Sequence, residues 1–129
     1  MSQHILIVDD EVQIRELLSV YLKRQGYLVS DAANGARTLA VLGQSAVDLV
    51  VLDIGLEHED GLGLLGRIKT AHPKVRVIML TGLGFVEDLL EEALQKGADD
   101  YVSKVLALDE LHMVIQRVLK LPPPKASAA

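Results

Sequence analysis

The chain has 129 residues and a formal net charge of −5, with 50% hydrophobic residues, 24% charged residues and no cysteine. This length supports one full hydrophobic core and is too short for two ordinary domains. The lack of cysteine excludes a disulfide framework, a zinc–cysteine site and a thiol nucleophile. Because the chain is acidic and has no run of lysine or arginine, direct non-specific binding to nucleic acid is not expected either.

The two ends of the chain indicate the compartment and the domain boundary. Residues 1–4 lack the basic start and long apolar core of a signal peptide, and no stretch reaches the roughly 18 apolar residues of a membrane span. We therefore expect a cytoplasmic protein with no membrane contact. Three consecutive prolines, at 122–124, exclude a helix near the C-terminus. We expect one domain over residues 1–121 and a disordered tail or linker stub over residues 122–129.

The pattern of apolar residues predicts strands that alternate with helices. Short runs that are apolar at every position are typical of buried parallel strands, whereas apolar residues at helical spacing predict amphipathic helices. The predicted strands, β1 to β5 in chain order, cover residues 4–8, 27–30, 49–52, 75–80 and 100–102. The predicted helices, α1 to α5 in chain order, cover residues 11–25, 35–42, 61–71, 85–96 and 108–120.

This strict alternation implies an α/β fold. We expect a doubly wound, five-stranded parallel sheet with helices on both faces, joined by right-handed crossovers. For five such units in one domain the expected strand order is the flavodoxin-like (βα)5 order 2-1-3-4-5. In that order the strand order reverses between β1 and β3, so a ligand site is expected beyond the carboxyl ends of these two strands.

Acidic residues stand at both of these strand ends. Asp9 and Asp10 follow β1, and Asp53 follows the apolar run that forms β3. Three carboxylates in one crevice repel one another unless a cation is present, and Mg²⁺ prefers oxygen ligands of this kind. The alternative is that Asp9 and Asp10 cap helix α1, since aspartate at a helix start is stabilising.

The next two strand ends supply a hydroxyl and a cation. Thr81 follows β4, and Lys104 lies just after β5. Each of these residues is ordinary when taken alone. Together with the three aspartates they form a set of polar groups suited to a phosphoryl group and its cation. The sequence therefore predicts one candidate site at this edge of the sheet.

Four motifs, in order and at matching spacings, resemble the receiver domain of two-component response regulators. The resemblance covers residues 5–119 and rests on Ile7-Val8-Asp9-Asp10-Glu11, on Asp53 followed eight residues later by Gly61, on Leu80-Thr81-Gly82, and on Gly97-Ala98-Asp99-Asp100-Tyr101-Val102-Ser103-Lys104.

The resemblance implies that Asp53 accepts a phosphoryl group from a phosphohistidine on a partner, which is a sensor histidine kinase or a phosphotransfer protein. Mg²⁺ would be bound directly by Asp10, through water by Asp9, and by Asp53 and the backbone carbonyl of Gly55. Lys104 would join Mg²⁺ in neutralising the phosphoryl oxygens.

The resemblance also implies a conformational switch. Thr81 would hydrogen-bond the new phosphoryl group, and Tyr101 would turn inward as Thr81 moves, which changes the surface of α4, β5 and α5. That surface would contact an output partner, an effector domain outside this chain, or a second copy of the chain in a homodimer. The alternative for Tyr101 is an ordinary residue of β5 with its hydroxyl in water.

Three positions depart from the usual family pattern. Val105 stands where proline usually follows the lysine, so we expect the Lys104–Val105 bond to be trans, because a cis bond there costs about 2.5 to 4 kcal/mol. Glu57 replaces another usual proline and makes the loop 57–60 acidic, which would either weaken docking of an acidic partner or favour a basic one. Ala107 stands where aspartate or serine often caps α5, so we expect this helix to lack its cap.

Two other functions are compatible with the same residues. One is an enzyme, a Mg²⁺-dependent phosphotransferase or phosphatase that acts through an Asp53 intermediate, and the other is a binding module that has lost phosphorylation. The run 61–66 spells G-x-G-x-x-G, but eight residues separate it from the end of β3, too many for a dinucleotide fingerprint. We favour a signalling phosphoacceptor that assists its own phosphorylation and dephosphorylation.

Overall fold

The computed structural model describes residues 2–56, 59–82, 87–105 and 107–121. Glu57, the first two residues predicted for α4 and the tail 122–129 lie outside these ranges. Within them the chain forms a parallel sheet in the order β2-β1-β3-β4-β5, with a helix after each strand. The predicted fold and strand order are therefore confirmed. None of the helices in the described part of the chain is both long enough and apolar enough to span a bilayer.

The observed elements match the predicted ones in type and order, and their ends differ by at most two residues. The strands are His4–Val8 (β1), Leu28–Ala32 (β2), Leu49–Asp53 (β3), Arg76–Thr81 (β4) and Asp100–Ser103 (β5). The helices are Val12–Arg24 (α1), Gly35–Gln44 (α2), Gly61–Ala71 (α3), Glu87–Gln95 (α4) and Leu108–Leu119 (α5).

The end of α2 was predicted wrongly. The helix was predicted to end at residue 42, directly before Gly43, but it continues through Gly43 to Gln44, and the Ser45 amide donates to the Val41 carbonyl. Gly43 does not have the positive φ that makes glycine a helix terminator. Glycine in the sequence marks a helix end only where the backbone turns left-handed, as it does at Gly97 after α4, with φ of +105°.

Strand β2 begins and ends later than predicted. It was expected over residues 27–30, but parallel pairing with β1 continues until Val8 lies opposite Ala32. The polar residues near its end, such as Asp31, broke the apolar pattern that the prediction used. Since β2 is an edge strand, its exposed positions tolerate polar side chains without loss of the backbone ladder.

Side chains along each central strand alternate between two buried clusters, one on each face of the sheet. In β1, Leu6 and Val8 point to the cluster under α2, α3 and α4, whereas Ile5 and Ile7 point to the cluster under α1 and α5. Full burial of such a side chain contributes about 1.5 to 3 kcal/mol. Because both faces are covered, polar groups on the central strands are confined to the strand ends, and that is where the candidate site lies.

The last helix, α5, begins without a side-chain cap, as predicted. Ala107 is the N-cap residue, its backbone is extended (φ −62°, ψ 145°), and it makes no side-chain cap hydrogen bond. The bond between Lys104 and Val105 is also trans as predicted, since none of the peptide bonds of the described residues is cis.

The replacement Ala107→Ser should stabilise the protein by about 0.5 to 2 kcal/mol, because the serine hydroxyl can accept a hydrogen bond from a free amide of the first turn. Thermal unfolding followed by circular dichroism should show a rise in melting temperature. The control is Ala36→Ser in α2, a helix that Asn34 already caps by accepting from the Arg37 amide. An equal or larger gain in the control would contradict the capping explanation.

Candidate functional site

The three predicted aspartates lie together at the carboxyl ends of β1 and β3. One carboxylate oxygen each from Asp9, Asp10 and Asp53 lies within 4.8 Å of the other two. Asp9 is 0% exposed and Asp53 2% exposed, and Asp10 is half-buried. We call these residues the acid cluster. Its position results from the register of the sheet, in which Val8, the residue before Asp9, pairs with Leu52, the residue before Asp53.

Asp53 is fixed by contacts on both of its carboxylate oxygens. Oδ1 accepts a hydrogen bond from the Gly55 amide at 2.9 Å, and Oδ2 accepts one from Lys104 Nζ at 2.9 Å. Its backbone belongs to β3, and the following amide, that of Ile54, donates to the Leu80 carbonyl of β4 at 2.9 Å. The carboxylate is therefore held at the strand end, within a cleft of about 540 Å³.

The two carboxylate oxygens of Asp9 have different partners. Oδ1 accepts from the Glu11 amide at 2.8 Å. Oδ2 is buried and makes no hydrogen bond within the described part of the chain, although Lys104 Nζ lies 3.0 Å away. Burial is the main cause that raises the pKa of Asp9, and the negative charge of Asp53 raises it further, against the opposing effects of the Glu11 amide and Lys104.

The alternative that Asp9 and Asp10 cap α1 needs correction. The N-cap position of this helix is Glu11, which makes no side-chain cap hydrogen bond. The carboxylate of Asp9 holds the amide of the cap residue itself rather than an amide of the first helical turn. Asp9 therefore shapes the loop before α1, but it does not act as the helix cap.

Lys104 is the cation of the site and bridges three carboxylates. Its Nζ lies 2.9 Å from Asp53, 3.0 Å from Asp9 and 3.2 Å from Glu11. Burial alone would lower the pKa of Lys104, but the hydrogen bond to Asp53 and the negative charges of Asp53 and Asp9 outweigh it and raise this pKa well above its ordinary value. Lys104 therefore reaches Asp53 even though Val105 replaces the usual proline in this loop.

Thr81 and Tyr101 occupy the neighbouring strands β4 and β5. Thr81 is buried, ends β4 and lines the same cleft as Asp53 and Lys104, and its carbonyl accepts from the Lys104 amide at 2.9 Å. Tyr101 lies opposite Met79 in β5. Its half-buried ring packs against the core cluster under α2, α3 and α4.

Gly61 gives a physical reason for the eight-residue spacing after Asp53. A Cβ atom on Gly61 would lie 2.5 Å from the Ile54 carbonyl oxygen and 2.8 Å from the Asp53 carbonyl oxygen. Both atoms belong to backbone, which cannot move aside as a flexible side chain can. The first residue of α3 therefore packs directly against the strand end that carries Asp53, and only glycine fits there.

Three charged residues of the site region were not predicted. Glu11 was assigned to the start of α1, yet it contacts Lys104. Arg15 donates to the backbone carbonyl of Asp9 at 2.7 Å. Glu59, part of the acidic loop 57–60, accepts from the Gly35 amide at 2.6 Å and so joins the β3–α3 loop to the start of α2. The only sequence signal for Arg15 was its position one helical turn after Glu11.

Comparison with known proteins places this geometry in a family. A model of the response regulator receiver domain matches residues 5–116. Sporulation initiation phosphotransferase F of Bacillus subtilis is 35% identical over 121 residues, which cover 94% of this chain and 97% of that protein. The probable transcriptional regulator ycf27 of Cyanidium caldarium is 40% identical over 121 residues, 92% of this chain.

A solved structure agrees with these relatives. The receiver domain of NtrX from Brucella abortus superimposes with a TM-score of 0.86 at 38% identity, covering 92% of this chain and 99% of that one. Some relatives are much longer, because the chain spans 47% of the Cyanidium regulator and only 26% of another matched regulator. The match over residues 5–116, the near-complete coverage of a single-domain relative and the strand order agree, and the chain belongs to the response regulator receiver domain family.

Proposed function

We propose that Asp53 is the residue that accepts the phosphoryl group in this receiver domain. The observation that carries the proposal is the position of Asp53 at the buried end of β3, inside the acid cluster and 2.9 Å from Lys104 Nζ. Phosphoryl transfer depends chiefly on positioning and on neutralisation of charge. A carboxylate fixed beside a cation at the edge of an open cleft meets both requirements.

The reaction needs little from the protein beyond this placement. An oxygen of Asp53 attacks the phosphorus of a phosphohistidine on a sensor histidine kinase or a phosphotransfer protein. The new O–P bond forms as the P–N bond breaks, and its electron pair stays on the imidazole nitrogen. Lys104 offsets charge on the phosphoryl oxygens, and the Thr81 hydroxyl donates a hydrogen bond to one of them.

The acid cluster fits a magnesium ion. Its donors are all oxygens, and the buried Oδ2 of Asp9, which is ion-paired with Lys104, makes no hydrogen bond within the described part of the chain, so it has capacity left to bind a metal ion. We assign Asp9, Asp10, Asp53 and the backbone carbonyl of Gly55 as the protein groups that hold the ion. Bound Mg²⁺ supplies positive charge that offsets the carboxylates and the phosphoryl oxygens.

The output of the domain is a change at the surface of α4, β5 and α5. Thr81 would shift toward the phosphoryl group, and the half-buried ring of Tyr101 would move into the space released beside β4. The altered surface would bind an output partner, an attached effector domain or a second copy of the chain.

The wider setting is part of the same proposal. We assign residues 1–121 to the domain and residues 122–129 to a linker or tail. The protein acts in the cytoplasm as a signalling module, without turning over a free substrate, without binding nucleic acid itself and without a membrane. Its resemblance over part of their length to longer regulators supports an effector domain as a partner.

Intact-mass analysis after incubation with Mg²⁺ and acetyl phosphate tests the assignment of Asp53. The wild type should gain a single phosphoryl adduct, and Asp53→Asn should gain none, because the amide is not a nucleophile for this transfer. The control is Asp88→Asn, which changes an exposed aspartate of α4 and should leave the adduct intact.

Other outcomes separate the competing functions. An adduct that persists in Asp53→Asn would show that another residue is the phosphoacceptor. The lack of any adduct in the wild type, with acetyl phosphate or with a phosphorylated kinase, would favour a binding module that has lost phosphorylation. Steady consumption of the donor over many turnovers would favour a phosphotransferase or phosphatase.

The replacement Asp9→Asn should raise the melting temperature of the metal-free protein at pH 7. The raised pKa of Asp9 means that its charged form is disfavoured in the folded state. The wild type should regain this stability as the pH falls through the raised pKa toward the ordinary value of 3.8, so the difference between the two proteins should shrink there. Thermal unfolding in EDTA between pH 7 and pH 4 measures both effects.

The same pair of proteins should respond differently to Mg²⁺. The ion should stabilise the wild type more than Asp9→Asn, because the variant offers one ligand fewer in charged form. Greater stability of the wild type than of the variant in EDTA at pH 7 would contradict the view that burial of this charge is unfavourable.

A further inference from the structure

Arg15 reaches from helix α1 to the backbone of the acid cluster. It lies in the first turn of α1, and its side chain is only 15% exposed. Nη1 donates to the Asp9 carbonyl oxygen at 2.7 Å, and Nε donates to Asp31 Oδ2 at 3.2 Å. One guanidinium therefore joins three elements: helix α1, the loop after β1, and strand β2.

The location of this cation is unfavourable on its own. The N-terminal end of a helix carries partial positive charge, which favours acidic residues in the first turn and disfavours basic ones. Helix α1 has no acidic residue in its first turn. Asp31, which is half exposed, offsets the charge of Arg15. Arg15 therefore lies at the helix end that disfavours its positive charge, and its contacts with Asp9 and Asp31 offset this cost.

These contacts hold Asp9 where the strand ladder ends. The regular pairing of β1 with β2 stops at Val8 and Ala32. Beyond it, the Asp9 amide still donates to the Ala32 carbonyl at 3.1 Å. The Asp9 carbonyl receives its hydrogen bond from Arg15, whose other end is bound to Asp31 of the same strand. Both sides of the Asp9 backbone are therefore anchored to β2, one directly and one through Arg15.

We infer that Arg15 is a positioning residue for the acid pair Asp9 and Asp10 in binding a divalent cation. The inference rests on the proposed Mg²⁺ site. The Asp9 carbonyl belongs to the peptide that joins the two aspartates, so its orientation determines where Asp10 begins and how both carboxylates face Asp53. Arg15 acts on the metal ligands through the backbone and does not itself contact the ion.

The positive charge of Arg15 and its positioning contacts have opposite effects on the affinity for Mg²⁺, so an experiment can separate the two. The positive charge of Arg15 opposes the binding of another cation nearby, and its removal alone would tighten Mg²⁺ binding. Loss of the anchor would loosen the acid pair and weaken Mg²⁺ binding. A lysine keeps the charge but lacks the planar fork that donates in two directions at once. Arg15→Lys therefore removes the positioning contact at constant charge.

Isothermal titration calorimetry with Mg²⁺ on the full chain tests this inference. Arg15→Lys should bind Mg²⁺ about ten-fold more weakly than the wild type, the lower end of the effect seen when partners of metal ligands are lost. Asp31→Asn should weaken binding in the same direction, because it releases the far end of Arg15. The matched control is Arg24→Lys, an exposed arginine of the same helix, which should bind as the wild type does.

Melting temperatures in EDTA distinguish positioning from a general structural role. If Arg15 only stabilised the fold, Arg15→Lys would melt at a lower temperature but bind Mg²⁺ with unchanged affinity at a temperature where both proteins are folded. That result, or tighter binding by Arg15→Lys, would overturn the inference and leave the Mg²⁺ site intact. A wild type that binds no Mg²⁺ would overturn both.

Discussion

The candidate site depends on several carboxylates that lie close together at the buried carboxyl end of a parallel sheet. Burial of Asp9 and Asp53 is costly, since each carboxylate loses water and each repels the other. Specific contacts offset the cost: the amides of Glu11 and Gly55 each donate to one carboxylate, and Lys104 bridges both. The offset is incomplete, because one oxygen of Asp9 is left without a hydrogen bond among the described residues. Under the proposed function, a bound cation would offset the remaining negative charge of the crevice.

The parallel sheet makes this concentration possible. All its strands run in the same direction, so their carboxyl ends meet at one edge, while the hydrophobic side chains of the strands fill the clusters on both faces. The strands supply Asp53 and Thr81 as their last residues, and the loops that follow supply Asp9 and Lys104. The core and the site thus both result from the alternation of strands and helices along the chain. Helix α3 adds a further restraint, since Gly61 packs against the carbonyl of Asp53.

Much of this arrangement could be predicted from the sequence, because it follows from periodicity and strand order. The apolar runs located every strand, and the order 2-1-3-4-5 followed from five βα units, so the residues at the strand ends were expected to meet. Spacing does not encode how far a long side chain reaches. The contacts of Arg15 with Asp9 and of Glu59 with Gly35 therefore became visible only in three dimensions. The continuation of α2 through Gly43 was missed for a related reason, since the identity of a residue does not determine its φ angle.

The burial of Asp9 also determines how the acid cluster responds to its surroundings. Mobile ions in solution screen exposed charges over about 8 to 10 Å at moderate ionic strength, but they reach buried pairs poorly. Asp9 is 0% exposed, so its repulsion with Asp53 is screened only weakly by salt in the medium. Lys104 offsets part of this repulsion, and under the proposed function a metal ion that enters the crevice and loses part of its water would offset more. The proposed metal site would therefore depend on the size, charge and preferred ligands of the cation more than on the overall salt concentration.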